Sequence, residues 1–124
     1  MKVICTICSK EKDVAGNSLP ARLRYLTPRI KAVGKIAKEL KLPLFILSGK
    51  YGIISAEEMI PYYDHILKEE EISDLSRLIS RQLEENHITE IDFYTKNEPA
   101  WLPYTQAIQK GIELSKIILN YYYL

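Results

Sequence analysis

The sequence predicts an α/β fold: a single three-layer, Rossmann-like domain over residues 1–124, with a small parallel sheet and its first strand central. Two short apolar runs, Val3–Cys8 and Leu44–Leu47, are separated by a segment of helical periodicity, the pattern of a βαβ unit. Each run passes into a lysine loop, Ser9-Lys10-Glu11-Lys12 after the first and Ser48-Gly49-Lys50-Tyr51-Gly52 after the second. Parallel strands carry their carboxyl ends to one edge of a sheet, where open α/β folds bind ligands. Both loops are therefore expected to meet there.

The elements are justified in turn. Residues 2–8 are apolar almost throughout, as a strand buried on both faces requires. A loop rich in Gly, Asn and Asp follows to about Ser18, and Pro20 to Leu26 reads as a short helical turn carrying Arg22 and Arg24. Thr27-Pro28 has the form of an N-cap with proline at the first helical position. Ile30, Val33, Ala37 and Leu40 mark one face of the helix, with Lys31, Lys35 and Lys38 on another. Pro43 precedes the second strand, about 44–48. Gly49 to His65 reads as one long irregular segment, which in a compact domain points to function or a lid.

Glu69, Glu70 and Glu71 suit the positive end of a helix running to about Asn86, with Ile72, Leu75, Ile79 and Leu83 inward. Glu90 to Thr95 is the third strand, and right-handed crossovers favour a strand order of 2-1-3. Pro103 opens a final helix through about Ile118. The tail Asn120-Tyr121-Tyr122-Tyr123-Leu124 is open to three readings: helix end, edge strand or interface, the last of which makes a homodimer one of the partner readings.

Composition narrows the function classes. The net charge is +1, yet residues 1–50 carry +8 and residues 51–124 carry −7. Such asymmetry either focuses an anionic ligand on one side or is complemented across the fold. No stretch approaches the roughly 20 apolar residues of a membrane span, and no signal-peptide pattern opens the chain. With only two cysteines, a disulfide framework is excluded and a cytoplasmic setting is expected.

Cys5 and Cys8 spell C-x-x-C, but residues three apart on a strand point to opposite faces and cannot share a metal. Cys5 reads as core, and Cys8 as core or site lining. His65 and His87 are too isolated for zinc, so neither metal nor cofactor is expected.

The candidate ligand-binding residues are Ser9, Lys10, Lys12, Arg22, Ser48, Lys50 and Tyr63. Turn N–H groups, a hydroxyl and ammonium groups at a strand end suit a phosphate or carboxylate, although the chain has neither a P-loop nor a G-x-G-x-x-G. Tyr62 and Tyr63 offer stacking surface for a base. Asp64 is the candidate acid or base, expected to point toward Lys50 or Arg22.

These residues also carry a resemblance. Cys8-Ser9 with Lys12, Pro20-Ala21-Arg22 with Tyr25, Ile46-Leu47-Ser48-Gly49-Lys50-Tyr51-Gly52-Ile53, and Tyr63-Asp64 resemble a family of small microbial proteins of unknown function. That family's pattern is C-S-x-x-K, P-A-R-x-x-Y, I-L-S-A-K-x-G-L and P-Y-D. Tyr104 through Gly111 resembles its closing helix. Gly49 stands where alanine is usual, and Tyr51 where histidine is common. The C-S-x-x-K strand end is similar, more distantly, to a domain of archaeosine synthase, which modifies a deazaguanine base in transfer RNA.

The resemblance implies base or nucleotide chemistry. Together these readings give a domain binding a phosphate-bearing nucleotide or nucleobase, with base-modifying or N-glycosidic chemistry. The alternative is a non-catalytic module for nucleic acid or a protein.

Overall fold

The computed structural model describes residues 1–113 and 115–124. In chain order the elements are β1 (Lys2–Ile7), β2 (Leu19–Pro20), α1 (Ala21–Arg24), α2 (Pro28–Leu40), β3 (Leu44–Ser48), β4 (Gly52–Ser55), β5 (Met59–Ile60), α3 (Ile72–Glu85), β6 (Glu90–Thr95), α4 (Leu102–Ile112) and β7 (Ile118–Tyr123). Single 3-10 turns, Glu69–Glu71 and Pro99–Trp101, lead into α3 and α4.

Helices pack on a mixed, mostly parallel five-stranded sheet of order β4-β3-β1-β6-β7, an α/β architecture. β1 pairs in parallel with β3, Ile7 opposite Leu47, and with β6, Cys5 opposite Phe93. The two-residue period of a strand splits the core. Val3, Cys5, Ile7, Phe45, Leu47, Ile91 and Phe93 share one cluster with α3 and α4, while Ile4 packs with Val33 and Ala37 of α2. Ile79 and Leu83 of α3 are fully buried in the first cluster, each burial contributing about 1.5–3 kcal/mol.

Local chemistry sets the ends of these elements. Thr27 Oγ1 accepts from the Arg29 N–H at 3.3 Å, and Pro28 opens α2, as the sequence predicts. The helix stops at Lys41, in the left-handed region at φ 56°, where the Leu42 N–H turns back onto the Ala37 carbonyl at 3.0 Å. Leu40, expected on the buried face, is the last residue of the helix and is exposed.

Two expectations are corrected, and one left open is resolved. Residues 49–65 are not one irregular segment, because β4 folds back antiparallel on β3 and β5 pairs with β2. Gly52 supplies the turn at φ 77°, and α3 locks it. Gln82 Oε1 accepts from the Ile53 N–H and its Nε2 donates to the Tyr51 carbonyl, both at 2.8 Å. The last helix ends at Ile112, short of the expected Ile118. The tail is a strand, β7, parallel to β6 at the sheet edge, with Tyr94 and Tyr122 stacked at 4.9 Å.

One buried cation organises the loop after β1. Arg24 is fully buried with no carboxylate partner among the described residues. Its guanidinium donates instead to the carbonyls of Asp13 (2.6 Å), Ala15 (3.0 Å), Asn17 (2.5 Å) and Ile60 (3.3 Å). It thereby ties residues 13–17 to β5. Arg24→Met keeps the apolar stem but removes all four bonds. Only the one to Ile60 is fully buried, so water recovers part of the rest and the cost is that of one or two unsatisfied groups at about 1–3 kcal/mol each. Denaturant titration should show a loss of about 2–4 kcal/mol. A loss below about 1 kcal/mol would mean that water replaces the guanidinium.

Candidate functional site

The carboxyl ends of β1 and β3 lie side by side, and the Cys8 N–H extends their pairing by donating to the Leu47 carbonyl at 2.9 Å. The loop leaving β1 is held by Arg24 and by a bridge between Lys12 and Tyr25. Within it, Ser9 Oγ donates to the Glu11 carbonyl (2.6 Å) and Lys12 Nζ to the Lys10 carbonyl (3.3 Å). Lys10 is exposed, and Lys12 is half-buried with its ammonium 4.7 Å from the centre of the Tyr63 ring.

The second loop meets the same ring. Lys50 Nζ lies 5.5 Å from the Tyr63 centroid and 5.4 Å from that of Tyr51. Two lysines 38 positions apart in sequence thus approach one tyrosine ring, and both contacts are in the range of a cation–π attraction of about 0.5–2 kcal/mol. Tyr63 is not a stacking surface for a base: it is only 5% exposed, edge-on to Tyr25 and Tyr51.

Beneath the lysines runs a chain of hydroxyls. Ser48, fully buried at the end of β3, accepts from the N–H groups of Lys50 (3.1 Å) and Tyr51 (3.0 Å), which folds the turn after β3. Its Oγ also bonds Tyr63 Oη at 2.9 Å, and Tyr63 Oη bonds Tyr25 Oη at 2.5 Å. Burial pushes the Tyr25, Tyr63 and Tyr104 hydroxyls all above the ordinary tyrosine range, so each remains protonated.

Cys8 stands among these groups. Burial pushes its thiol up, against the opposing influence of the Gly49 N–H, Lys12, the Tyr104 hydroxyl and Arg29. Gly49 suits this crowding, since a Cβ there would sit 3.2 Å from both Leu67 Cβ and Tyr104 Oη and its neighbours would have to shift by a few tenths of an ångström.

Arg29 is a cation that sequence reasoning missed. From the first turn of α2 it donates to Thr6 Oγ1 (2.7 Å) and to the carbonyls of Ile7 (2.6 Å) and Cys8 (3.2 Å). Its guanidinium lies 4.5 Å from the Trp101 centroid, with Lys96 Nζ 5.8 Å from the same ring. The only signal for this in the sequence was an arginine at the start of a helix in a βαβ unit. Among the described residues, no carboxylate lies within 4.0 Å of the charged nitrogens of Lys10, Lys12, Arg29, Lys50 or Lys96. The carboxyl edge of the sheet is a cationic rim.

Two expected members stand differently. Arg22 is exposed on α1 and bound to Glu57, Nε to Oε1 at 2.7 Å, with Glu57 itself drawn from the turn after β4. Asp64 is exposed and makes no ion pair with Lys50 or Arg22. It lines a depression of about 320 Å³ with Lys50, His65 and Glu71. There His65 Nε2 meets Glu71 Oε2 at 3.0 Å, while Glu71 Oε1 accepts from the Lys68 N–H at 3.0 Å. This pair was invisible in sequence because the six-residue spacing belongs to no single helix or strand.

A larger groove, about 590 Å³, runs between α3 and α4 past Ser73, Ser76, Arg77 and Lys110. Its buried polar side chain, Ser76, already donates to the Ser73 carbonyl at 2.7 Å, and the cationic rim remains the better candidate. Among the described residues, no group of three or more His, Cys, Asp or Glu is placed to hold a metal ion. No helix there is long and apolar enough to cross a membrane.

Comparison with protein-family models, curated proteins and solved structures found no match.

The buried phenols set the alkaline limit of stability. An unfolded tyrosine ionises near pH 10, whereas Tyr25 and Tyr63 hold their protons to higher pH, so the folded state binds more protons above that point. Stability should be level below about pH 9.5 and then fall by up to about 1.4 kcal/mol per pH unit for each phenol. Urea titrations from pH 8 to 11 measure this. A flat profile would place both hydroxyls in contact with solvent.

Proposed function

We propose that the carboxyl edge of the sheet binds a phosphate-bearing nucleotide or nucleobase ligand, in a Rossmann-like domain whose first strand is central. The observation that carries this is the rim of Lys10, Lys12, Arg29, Lys50 and Lys96, none of which has a carboxylate within 4.0 Å among the described residues. Cations that repel one another are tolerated at such an edge, and an anion relieves the repulsion. Lys12 and Lys50, over one ring, hold the phosphate in this reading. Ser9 and Lys10 supply the flanking loop, and Ser48 sets its floor. Arg22 is left a peripheral role because Glu57 already neutralises it.

Base-modifying or N-glycosidic chemistry would need an acid or base beside Lys50. Asp64, with His65 and Glu71 in the adjoining depression, is the group placed to serve. A non-catalytic module for nucleic acid uses the same rim and is distinguished by turnover alone.

Adenosine and guanosine monophosphates are the probes, titrated by calorimetry at two salt concentrations. Lys50→Ala and Lys12→Ala should each weaken binding about five- to tenfold and flatten the salt dependence, since each removes one phosphate contact. Their melting temperatures should stay within about 3 °C of the parent. Nucleotide affinity untouched by both substitutions would remove the rim as the site. Asp64→Asn should abolish any single-turnover product formation while sparing affinity, and an unchanged rate would favour the binding module.

A further inference from the structure

The hydroxyl chain under the rim has one proton too many. A hydroxyl donates one hydrogen bond and accepts two. Ser48 Oγ already accepts from the N–H groups of Lys50 and Tyr51, so its own proton must go to Tyr63 Oη. Tyr63 and Tyr25 then share a single bond at 2.5 Å, which uses one of their two phenolic protons. Whichever oxygen donates, the other phenol keeps a proton for which the described residues provide no hydrogen-bond acceptor. Both side chains are buried, Tyr25 2% and Tyr63 5% exposed. A buried donor left unmade is unfavourable, and native interiors seldom keep one.

Burial keeps Cys8 and Tyr104 protonated as well, and no carboxylate pairs with Lys12 or Lys50 above the Tyr63 ring. No hydrogen bond joins either phenol to Cys8 or Tyr104 among the described residues, and the charged groups nearest the pair are cations.

We propose that the surplus phenolic proton of the Tyr25–Tyr63 pair is a ligand-binding donor, directed to an ionised phosphate oxygen held by Lys12 and Lys50. The inference rests on the anion-binding reading above and adds the group that reads the anion's acceptor oxygen. A centre whose neighbouring charges are cations favours a phosphate monoester in its fully ionised form, whose terminal oxygens all accept. It also makes the two tyrosines interchangeable in part, because removing either hydroxyl leaves the other with a free proton.

The test uses the full chain with pyrophosphate and adenosine monophosphate as probes, in Tyr25→Phe, Tyr63→Phe, the double variant, and Tyr62→Phe as an exposed control. Tyrosine to phenylalanine conserves volume, so the fold is retained. The double variant should lose about ten- to a hundredfold in affinity, the range of a hydrogen bond to a charged group. Each single variant should lose less than half of that factor on a logarithmic scale, and Tyr62→Phe nothing. Fluorotyrosine labelling of the otherwise unaltered protein gives a second reading. The resonances of positions 25 and 63 should shift on adding pyrophosphate, and that of position 62 should not. Affinity within twofold of the parent in the double variant, with Lys50→Ala still weakening binding, would overturn the proposal and leave the anion site standing. If the parent bound neither probe, the anion site and the donor would fall together.

Discussion

Everything at the candidate site depends on the parallel pairing of β1 with β3. It puts Ile7 beside Leu47 and lets the Cys8 N–H reach the Leu47 carbonyl at 2.9 Å, so the two loops leave the sheet at the same place. An antiparallel register would send Ser9 and Lys50 to opposite ends. Parallel pairing also leaves the strand-end carbonyls pointing outward, and Arg29 meets two of them. The same geometry that exposes backbone acceptors therefore recruits a cation to the edge.

Two arginines do related work without a carboxylate. Arg24 gathers four carbonyls from loop and ribbon, and Arg29 caps the end of β1. Carbonyls stabilise a guanidinium through hydrogen bonds but cancel none of its net charge. Arg29, with Lys96 over the same indole, therefore keeps a positive field at the rim. The loop after β1 is rigid enough to place Lys12 because Arg24 fixes residues 13–17. Packing energy is thus linked to site geometry through a single buried side chain.

Much of the architecture was legible because it follows from local chemistry. β1, α2, β3 and β6 announce themselves through apolar runs, the Thr27-Pro28 start and helical spacing. The strand β4 was missed although a signal was present: a glycine followed by Ile53 and Ile54. What hid it was Gln82, thirty residues away, whose amide completes the turn. β7 was ambiguous because its pairing with β6 is decided by the sheet, not by its own tyrosines.

At the site, Lys12, Lys50 and Ser48 could be picked out as loop residues following strands. Tyr25, Arg29 and the His65–Glu71 pair could not, since their roles exist only through contacts across the fold. Arg22 misled for the same reason: nothing near it in sequence discloses Glu57. Asp64 was expected to face a cation and is exposed instead, held by no partner that would draw it inward.

The central claim is that Lys12 and Lys50 hold the ligand's phosphate at the carboxyl edge of the sheet. A crystal grown with adenosine monophosphate, phased to locate phosphorus, tests this most directly. The expected result is a phosphorus within about 4–5 Å of both ammonium nitrogens, with one phosphate oxygen in hydrogen-bond reach of the Tyr25–Tyr63 hydroxyls. Phosphorus found instead between α3 and α4, beside Arg77 and Lys110, would contradict it.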